Sequence, residues 1–386
     1  MSADTPFPER IEACRRNMAR ADADLTVCFP GPNLTYCTGF DELPSERHLL
    51  LFVPQTGEPT IVAPRMYEDQ LAAVPIDDLA LECWDDGDDP AETIDHVLER
   101  AGVTGASATV LLDDRLWETF SQDLRGCLPD ADFGLASTVL EPIRLRKDPV
   151  ELEALRRAAG VADRVSQEIR SRGTDLVGWT EADLAREIER LLAAEGGDEP
   201  AFETIVASGP NGARPHHHSG DRVIEAGDPI VLDFGAFVEA DLPAGTGRYP
   251  GDQTRTIVAG DPPSGYERVH EVVREAQAAA VDAVEPGVTA GSIDEAAREV
   301  IEAASYGDAF VHRTGHGVGL EVHEPPYIVA GNDRELEPGM VFSVEPGIYL
   351  EGEFGIRIED LVVVTDDADG VERLNDSPHG WETGSE

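Results

Sequence analysis

The chain has 386 residues, 77 of them Asp or Glu and 30 Lys or Arg, for a formal net charge of −47. A field of that sign disfavours nucleic acid and anionic membranes as partners, and at low ionic strength it repels itself. At about 1 M salt the screening length falls to about 3 Å, so acidity that runs the whole length of the chain points to a cytosolic protein adapted to molar salt.

No stretch reaches the roughly 18 apolar residues of a membrane span, and the start "MSADTPFPERIEACRRN" lacks the charged-then-apolar order of a secretory leader. Cytoplasmic location is the expectation. The five cysteines, Cys14, Cys28, Cys37, Cys83 and Cys127, are odd in number, irregular in spacing and confined to the first third. They read as buried free thiols. A metal site in the remainder would then use oxygen and nitrogen ligands.

In chain order, residues 1–146 alternate short apolar runs ("LTVCFPG", "HLLLFVP", "PTIVAP", "ATVLLDD") with turns and helical stretches, the pattern of an α/β domain. Next comes "RLRKDPVELEALRRAAGVADRVSQEIRSRG", which holds Lys147, the single lysine of the chain. Asp148 can cap a helix, Pro149 suits its first turn, and Glu151 stands where a capping box places a carboxylate. Leu152, Leu155, Ala159, Ala162 and Ile169 recur at helical spacing. A domain boundary near 147 follows, with a second domain over 147–386.

That second domain carries an internal repeat. "AREI" at 185 recurs as "AREV" at 297, and "GDPIVLDFG" at 227 recurs as "GMVFSVEPG" at 339, both at an offset of 112. Each half therefore has a helix followed by an apolar strand with one acid among hydrophobes, Asp233 and then Glu345. Two half-domains related by a pseudo-twofold axis would bring these strands side by side. Burying a carboxylate is costly unless it is paired, protonated or bound to a cation. Asp252 in "YPGDQTRT" and Glu359 in "GIRIEDLVVV" flank the first two in the same way. Ion pairs with Arg255 and Arg357 are the ordinary alternative for any one of them.

Further on, "FVHRTGHGVGLEVHEPP" (310–326) sets His312, His316 and His323 among Gly315, Gly317 and Gly319. The spacing of four between the first two histidines matches a helical zinc motif. Each glycine, however, would weaken a helix by about 1 kcal/mol relative to Ala, so the stretch reads as strand or tight loop. Which histidine binds a metal stays open on spacing alone.

The ordered series "ASGPNGARPH", "DFG", "DQTRT", "GHGVGLEVHE", "EPGIY" and "RIED", with "PNLTYCTGF" near the N-terminus, resembles the pita-bread metallopeptidases: methionine aminopeptidase, aminopeptidase P, prolidase and the metal-free creatinase. The resemblance covers nearly the whole chain. It implies a creatinase-like α/β domain over 1–146 and a pita-bread domain (α+β, pseudo-twofold) over 147–386. It also implies metal ligation by Asp233, Asp252, His316, Glu345 and Glu359, so that of the three histidines in 310–326 only His316 is a ligand.

The activity implied is hydrolysis of the Xaa-Pro bond by a hydroxide bridging two divalent ions, in a dipeptidase or, on longer peptides, an aminopeptidase. Four carboxylates and one imidazole suit Mn²⁺ or Co²⁺, with Fe²⁺ or Zn²⁺ as alternatives. By the same resemblance His216, His323 and Glu345 are catalytic, and His216, His312, His323 and Arg357 meet the substrate, a peptide with proline second. Arg357 would also orient a metal ligand. His217 and His218 read as exposed loop residues. A homodimer is implied, and an archaeon-like halophilic background fits the charge.

Two features depart from the family pattern. The Asp233 to Asp252 interval, with its hairpin over 236–251, is long. No arginine clearly takes the place of the carboxylate anchor of some prolidases, although Arg334 lies near it. The competing readings are a dimetal hydrolase or lyase on a non-peptide substrate, and a catalytically inactive pita-bread binding module.

Overall fold

The apolar runs of the first part form a mixed sheet: β1 (Leu25–Cys28), β2 (Leu50–Pro54), β3 (Thr60–Pro64), β4 (Ala80–Trp84), β5 (Thr109–Leu112) and β6 (Asp132–Leu135), in the order β4-β3-β2-β1-β5-β6. These positions come from a computed structural model that describes residues 5–104, 107–368 and 370–384. The first four residues of the segment read above for a secretory pattern lie outside the described ones. The contacts divide the chain into two units, Met1–Arg144 with Asp241–Gly247, and Leu145–Ala240 with Arg248–Glu386.

In the first unit β1, β2, β3 and most of β5 are buried, which is why their sequences read as continuous apolar runs. The two edge strands, β4 and β6, are partly exposed and carry mixed sequences that give no such signal. Helices α1 (Phe7–Ala21), α2 (Pro32–Thr38), α3 (Glu68–Leu71), α4 (Pro90–Arg100), α5 (Glu118–Cys127) and α6 (Ser137–Arg144) complete this unit. All five cysteines are free thiols. Cys14, Cys28 and Cys37 are buried as expected, whereas Cys83 and Cys127 are only half-buried.

The second unit opens with α7 (Pro149–Ser171), whose N-terminus is the capping box anticipated from Asp148 and Glu151. Such a cap contributes about 1 kcal/mol. Leu155, Ala159, Ala162 and Ile169 are buried on its inner face, and Leu152 is half-buried at the edge. Then follow α8 (Glu181–Ala194), β7 (Ile205–Ser208), β8 (Pro229–Phe234), the hairpin β9 (Phe237–Glu239) and β10 (Arg248–Pro250), and β11 (Gln253–Val258).

The same order then repeats: α9 (Tyr266–Asp282), α10 (Ala290–Ala303), β12 (Gly315–Gly317) with β13 (Glu324–Ile328), β14 (Val341–Val344), the hairpin β15 (Gly347–Leu350) and β16 (Phe354–Arg357), and β17 (Asp360–Val364). A final strand, β18 (Val371–Arg373), pairs with β17. The "AREI" and "AREV" segments lie in α8 and α10, each capped by a threonine, Thr180 and Thr289. β8 and β14 begin 341 − 229 = 112 residues apart, the offset seen in the sequence.

Each half buries its own core. One includes Ala162, Leu184, Ile188, Val206 and Leu232, the other Val273, Ala276, Ile293, Ala297, Phe342 and Val362. The strands form two antiparallel sheets, β11-β8-β7 and β13-β12-β14-β17-β18. The acids stand at matching points, Asp233 near the end of β8 and Glu345 just after β14. The interval to the next acid is 252 − 233 = 19 in the first half and 359 − 345 = 14 in the second. The difference lies in the β9–β10 hairpin, whose connection Asp241–Gly247 belongs to the first unit. Among the described residues no helix is long and apolar enough to cross a membrane.

Candidate metal centre

Strand ends from both halves deliver the five expected ligands to one cleft of about 530 Å³ in the second unit. Asp233 sits on β8, the middle strand of its sheet, opposite Thr254 of β11. Asp252 and Glu359 immediately precede β11 and β17, Glu345 follows β14, and His316 is the centre of β12. Asp252, His316 and Glu359 bring donor atoms within 4.8 Å of one another. His316 Nε2 lies 3.4 Å from Glu345 Oε1 and 3.7 Å from Asp252 Oδ2.

The glycines of the 310–326 stretch have a steric cause. A Cβ at Gly315 would strike the Ser343 carbonyl, one at Gly317 the Pro325 carbonyl, and one at Gly319 the Glu324 carboxylate. The segment is therefore a strand squeezed between β13 and β14, and His316 reaches the cleft from it.

Four carboxylates share this cleft with Arg357, which pairs with Asp233. Burial first, and then the charges of Asp233 and Glu345, hold Asp252 well above the usual carboxylate range. Burial and the neighbouring acids do the same to Glu359, and burial lifts Glu345 to about 7. Burial, with His323 beside it, pushes His316 down to about 3 and keeps it neutral. Asp233 Oδ1 is buried without a hydrogen-bond partner, while Oδ2 accepts from Arg357. An orphaned carboxylate oxygen, three acids pushed up by burial and by one another's charge, and a neutral imidazole together fit a divalent cation site. A bound cation would favour their ionised forms.

A second layer of side chains holds these acids in place. Thr254 Oγ1 donates to Glu359 Oε2 at 2.7 Å and accepts from Arg357 Nε at 2.9 Å. Ser343 Oγ donates to Glu345 Oε1 at 3.2 Å. Arg357 Nη1 donates to Tyr349 Oη at 2.8 Å. The sequence reading put Arg357 among the substrate-binding residues. Its guanidinium donates to Asp233, Thr254 and Tyr349, the arrangement expected of the second role read for it, orienting a cleft carboxylate.

His312 is part of the same network. Its Nδ1 faces the Arg313 carbonyl at 2.7 Å and must donate there, so in the neutral ring Nε2 accepts from Tyr349 Oη at 2.8 Å. Burial, and next the Arg357 charge, hold His312 near 4. Neutrality and that tautomer follow.

His216 and His323 are exposed and line the cleft with Phe202, Ile205 and Val322. The His323 ring centroid is 4.1 Å from that of His316. Burial first and the Arg313 charge second keep His323 below its ordinary range.

The expectation for His217 is corrected. Only His218 is an exposed loop residue, paired with Glu203. His217 Nε2 bonds the buried carboxylate of Glu181 at 2.8 Å, which also accepts from Ser208 N and Oγ and from Asn211. Burial alone would raise Glu181, but these hydrogen bonds outweigh it and hold the carboxyl below its usual range. Glu181 thereby pins the loop that presents His216. Arg334, which lies near the anchor's place in the sequence, is exposed and does not line the cleft.

Sequence reasoning missed Thr254, Ser343, Tyr349 and Arg313. Thr254 and Ser343 stand two residues from Asp252 and Glu345, on the same strand faces, so a period-two reading would have found them. Tyr349 is positioned by the β15–β16 hairpin and has no comparable signal.

Residues 153–366 match the profile of metallopeptidase family M24, and residues 10–146 match the creatinase/prolidase N-terminal domain. The chain belongs to metallopeptidase family M24. Its relatives in this family include a protein of Mycobacterium tuberculosis named probable dipeptidase PepE, 43% identical over 367 residues (94% of this chain, 92% of the relative). The Xaa-Pro dipeptidase of Lactobacillus helveticus is 37% identical over 346 residues (86% and 88%). Among solved structures, recombinant prolidase from Thermococcus sibiricus superposes with a TM-score of 0.87 at 36% identity, covering 98% of this chain and 99% of that one. In this M24 chain the cleft thus lies within the peptidase domain proper.

Proposed function

We propose that this chain hydrolyses the Xaa-Pro bond of dipeptides, with Asp233, Asp252, His316, Glu345 and Glu359 holding two divalent cations. The observation that carries the reading is the convergence of these five side chains, with Asp233 Oδ1 buried and unpartnered, in a cleft walled by His216, His312 and His323. The names of the M24 relatives support the substrate class. Oxygen-rich ligation with one imidazole and no thiolate favours Mn²⁺ or Co²⁺. When bound, the ions supply an activated water and polarise the scissile carbonyl.

The chain's own residues do the rest. Glu345 takes a proton from the attacking water and returns it to the proline nitrogen as the C–N bond breaks. His323 and His216 donate to the carbonyl oxygen as it gains charge. Arg357 and Thr254 keep Asp233 and Glu359 in place. Proline nitrogen carries no N–H, so the pocket beyond the bond must accept a ring rather than a backbone donor. His312, fixed through Tyr349, gives that pocket a rigid wall. The same reading carries a cytosolic homodimer working in molar salt, the setting that suits a net charge of −47.

The test is a panel of Ala-Pro, Met-Pro and Ala-Ala with added Mn²⁺ or Co²⁺, read together with metal content per chain. Hydrolysis of the proline dipeptides with little turnover of Ala-Ala is expected, and comparable rates on all three would refute proline specificity. Glu345→Gln should remain folded, bind metal more weakly and lose turnover. A chain that takes up no metal would favour the inactive binding module.

A further inference from the structure

The repeated "ARE" of α8 and α10 is put to different uses in the two halves. In α8, Arg186 is 67% exposed and pairs with Asp183 one turn back. In α10, Arg298 is only 27% exposed and pairs with Asp294, whose side chain is wholly buried. Its Nε donates to Asp294 Oδ2 at 2.6 Å and its Nη2 to Oδ1 at 3.3 Å. A pair at this spacing supports its helix equally well at the surface, and burying it costs desolvation. What the buried place adds is a second set of partners on residues 310–314, which lie in no helix or strand.

Asp294 Oδ1 accepts from Thr314 N at 3.0 Å and from Thr314 Oγ1 at 2.8 Å. Arg298 Nη2 donates to the His312 carbonyl at 2.6 Å and Nη1 to the Phe310 carbonyl at 3.4 Å, while its Cζ lies 4.3 Å from the Phe310 ring centroid. Every second residue from 310 to 314 is thus tied to one pair on α10. The residues so held are those on which the cleft depends. Thr314 is wholly buried, its carbonyl accepts from Glu345 N at 2.7 Å, and His316 stands two residues further along the chain. His312 and Arg313 line the cleft, and Arg313 lays its guanidinium over the Tyr327 ring with Cζ 4.5 Å from the centroid. A displaced Thr314 would move the acid and the imidazole of the metal side. A displaced His312 backbone would move the wall opposite.

We propose that Asp294 and Arg298 are positioning residues of the cleft. Asp294, through Thr314, sets His316 against Glu345 for the metal ions; Arg298, through the His312 carbonyl, sets the wall that meets the substrate. Neither side chain lines the cleft, so both act through the segment they hold. This rests on the dimetal Xaa-Pro reading above.

The experiment reads metal affinity, substrate kinetics and stability separately. Thr314→Val keeps the β-branched shape and removes the hydroxyl donor, whereas Thr314→Ser keeps the donor. In calorimetric titration of the metal-free chain with Mn²⁺, Thr314→Val should bind about 10-fold more weakly and Thr314→Ser should stay within about threefold of the wild type. Asp294→Asn should lose on the order of 10- to 100-fold; if it does not fold, the two Thr314 variants decide the metal arm. Arg298→Lys keeps the charge and loses the fork. It should hold Mn²⁺ affinity within about threefold, raise KM for Ala-Pro on the order of 3- to 10-fold with a smaller change in kcat, and shift the His312 ring signals in NMR spectra. Urea unfolding of each metal-free variant measures the purely structural cost. Variants that lose stability yet keep Mn²⁺ affinity and KM within about twofold would overturn the proposal, as would Thr314→Ser behaving like Thr314→Val. If the metal-loaded wild type cleaves no Xaa-Pro substrate, the functional reading fails, and the positioning roles are decided by the Mn²⁺ titrations and the His312 signals.

Discussion

Replacing the only lysine by an apolar residue of similar length probes the buried support of the site. Lys147 Nζ lies 2.8 Å from Glu324 Oε1, with both side chains almost wholly buried. Gly319 leaves the space that this carboxylate fills. Glu324 begins β13, directly after His323. Lys147→Met removes the ammonium and leaves the carboxylate in a dry site without that counter-charge.

Losing one partner of a buried pair costs about 3–5 kcal/mol, and an independent bound agrees. The variant can escape by protonating Glu324, which from an ordinary pKa of about 4.3 costs about 4 kcal/mol at pH 7 and about 1 kcal/mol at pH 5. In the variant the folded-state pKa is raised above the unfolded one, so the penalty is full at neutral pH and shrinks as pH falls toward 5. Urea unfolding at fixed molar salt, at pH 7 and pH 5, should show a deficit of about 4 kcal/mol falling to about 1–2 kcal/mol. Lys147→Met with Glu324→Gln should regain most of the loss and show no such pH dependence. A deficit below about 1 kcal/mol at pH 7, or one of equal size at both pH values, would refute the buried-pair argument.

Two further outcomes follow from burial and charge. His270 on α9 is buried with Nε2 unpartnered, and burial holds it near 4. Its contribution to stability is therefore complete above about pH 6.5 and is lost as pH falls toward 4, up to about 3 kcal/mol. His270→Leu should flatten that part of the acid limb of the urea stability profile, and an unchanged limb would contradict this account. The net charge of −47 predicts that melting temperature and activity both rise from about 0.1 M to about 2 M KCl as like charges are screened; flat curves would sink it.

The repeat, the capping box at Asp148, the apolar core strands and the four acids of the cleft were all legible in the sequence. Each depends on a local rule: a period, a cap, or a charge among hydrophobes that needs a partner. The 112-residue offset even fixed the equivalence of Asp233 and Glu345. Edge strands β4 and β6 were not legible, because half-exposed strands carry mixed sequences. Nor was the fate of individual polar side chains.

Nothing local tells Arg357, bound to Asp233 across 124 residues, from Arg313, which is left on an aromatic face. Nor does anything in "PHHHSG" say that His217 turns inward to Glu181 while its neighbours face out. These choices are made when strands from the two halves converge and decide which donors reach which acceptors. The sequence by itself determined which chemistry the second unit contains, since burying that many acids has few physical solutions. Only the tertiary structure decided which cations are used up in holding the acids of the cleft, because that depends on long-range pairing to which sequence spacing is blind.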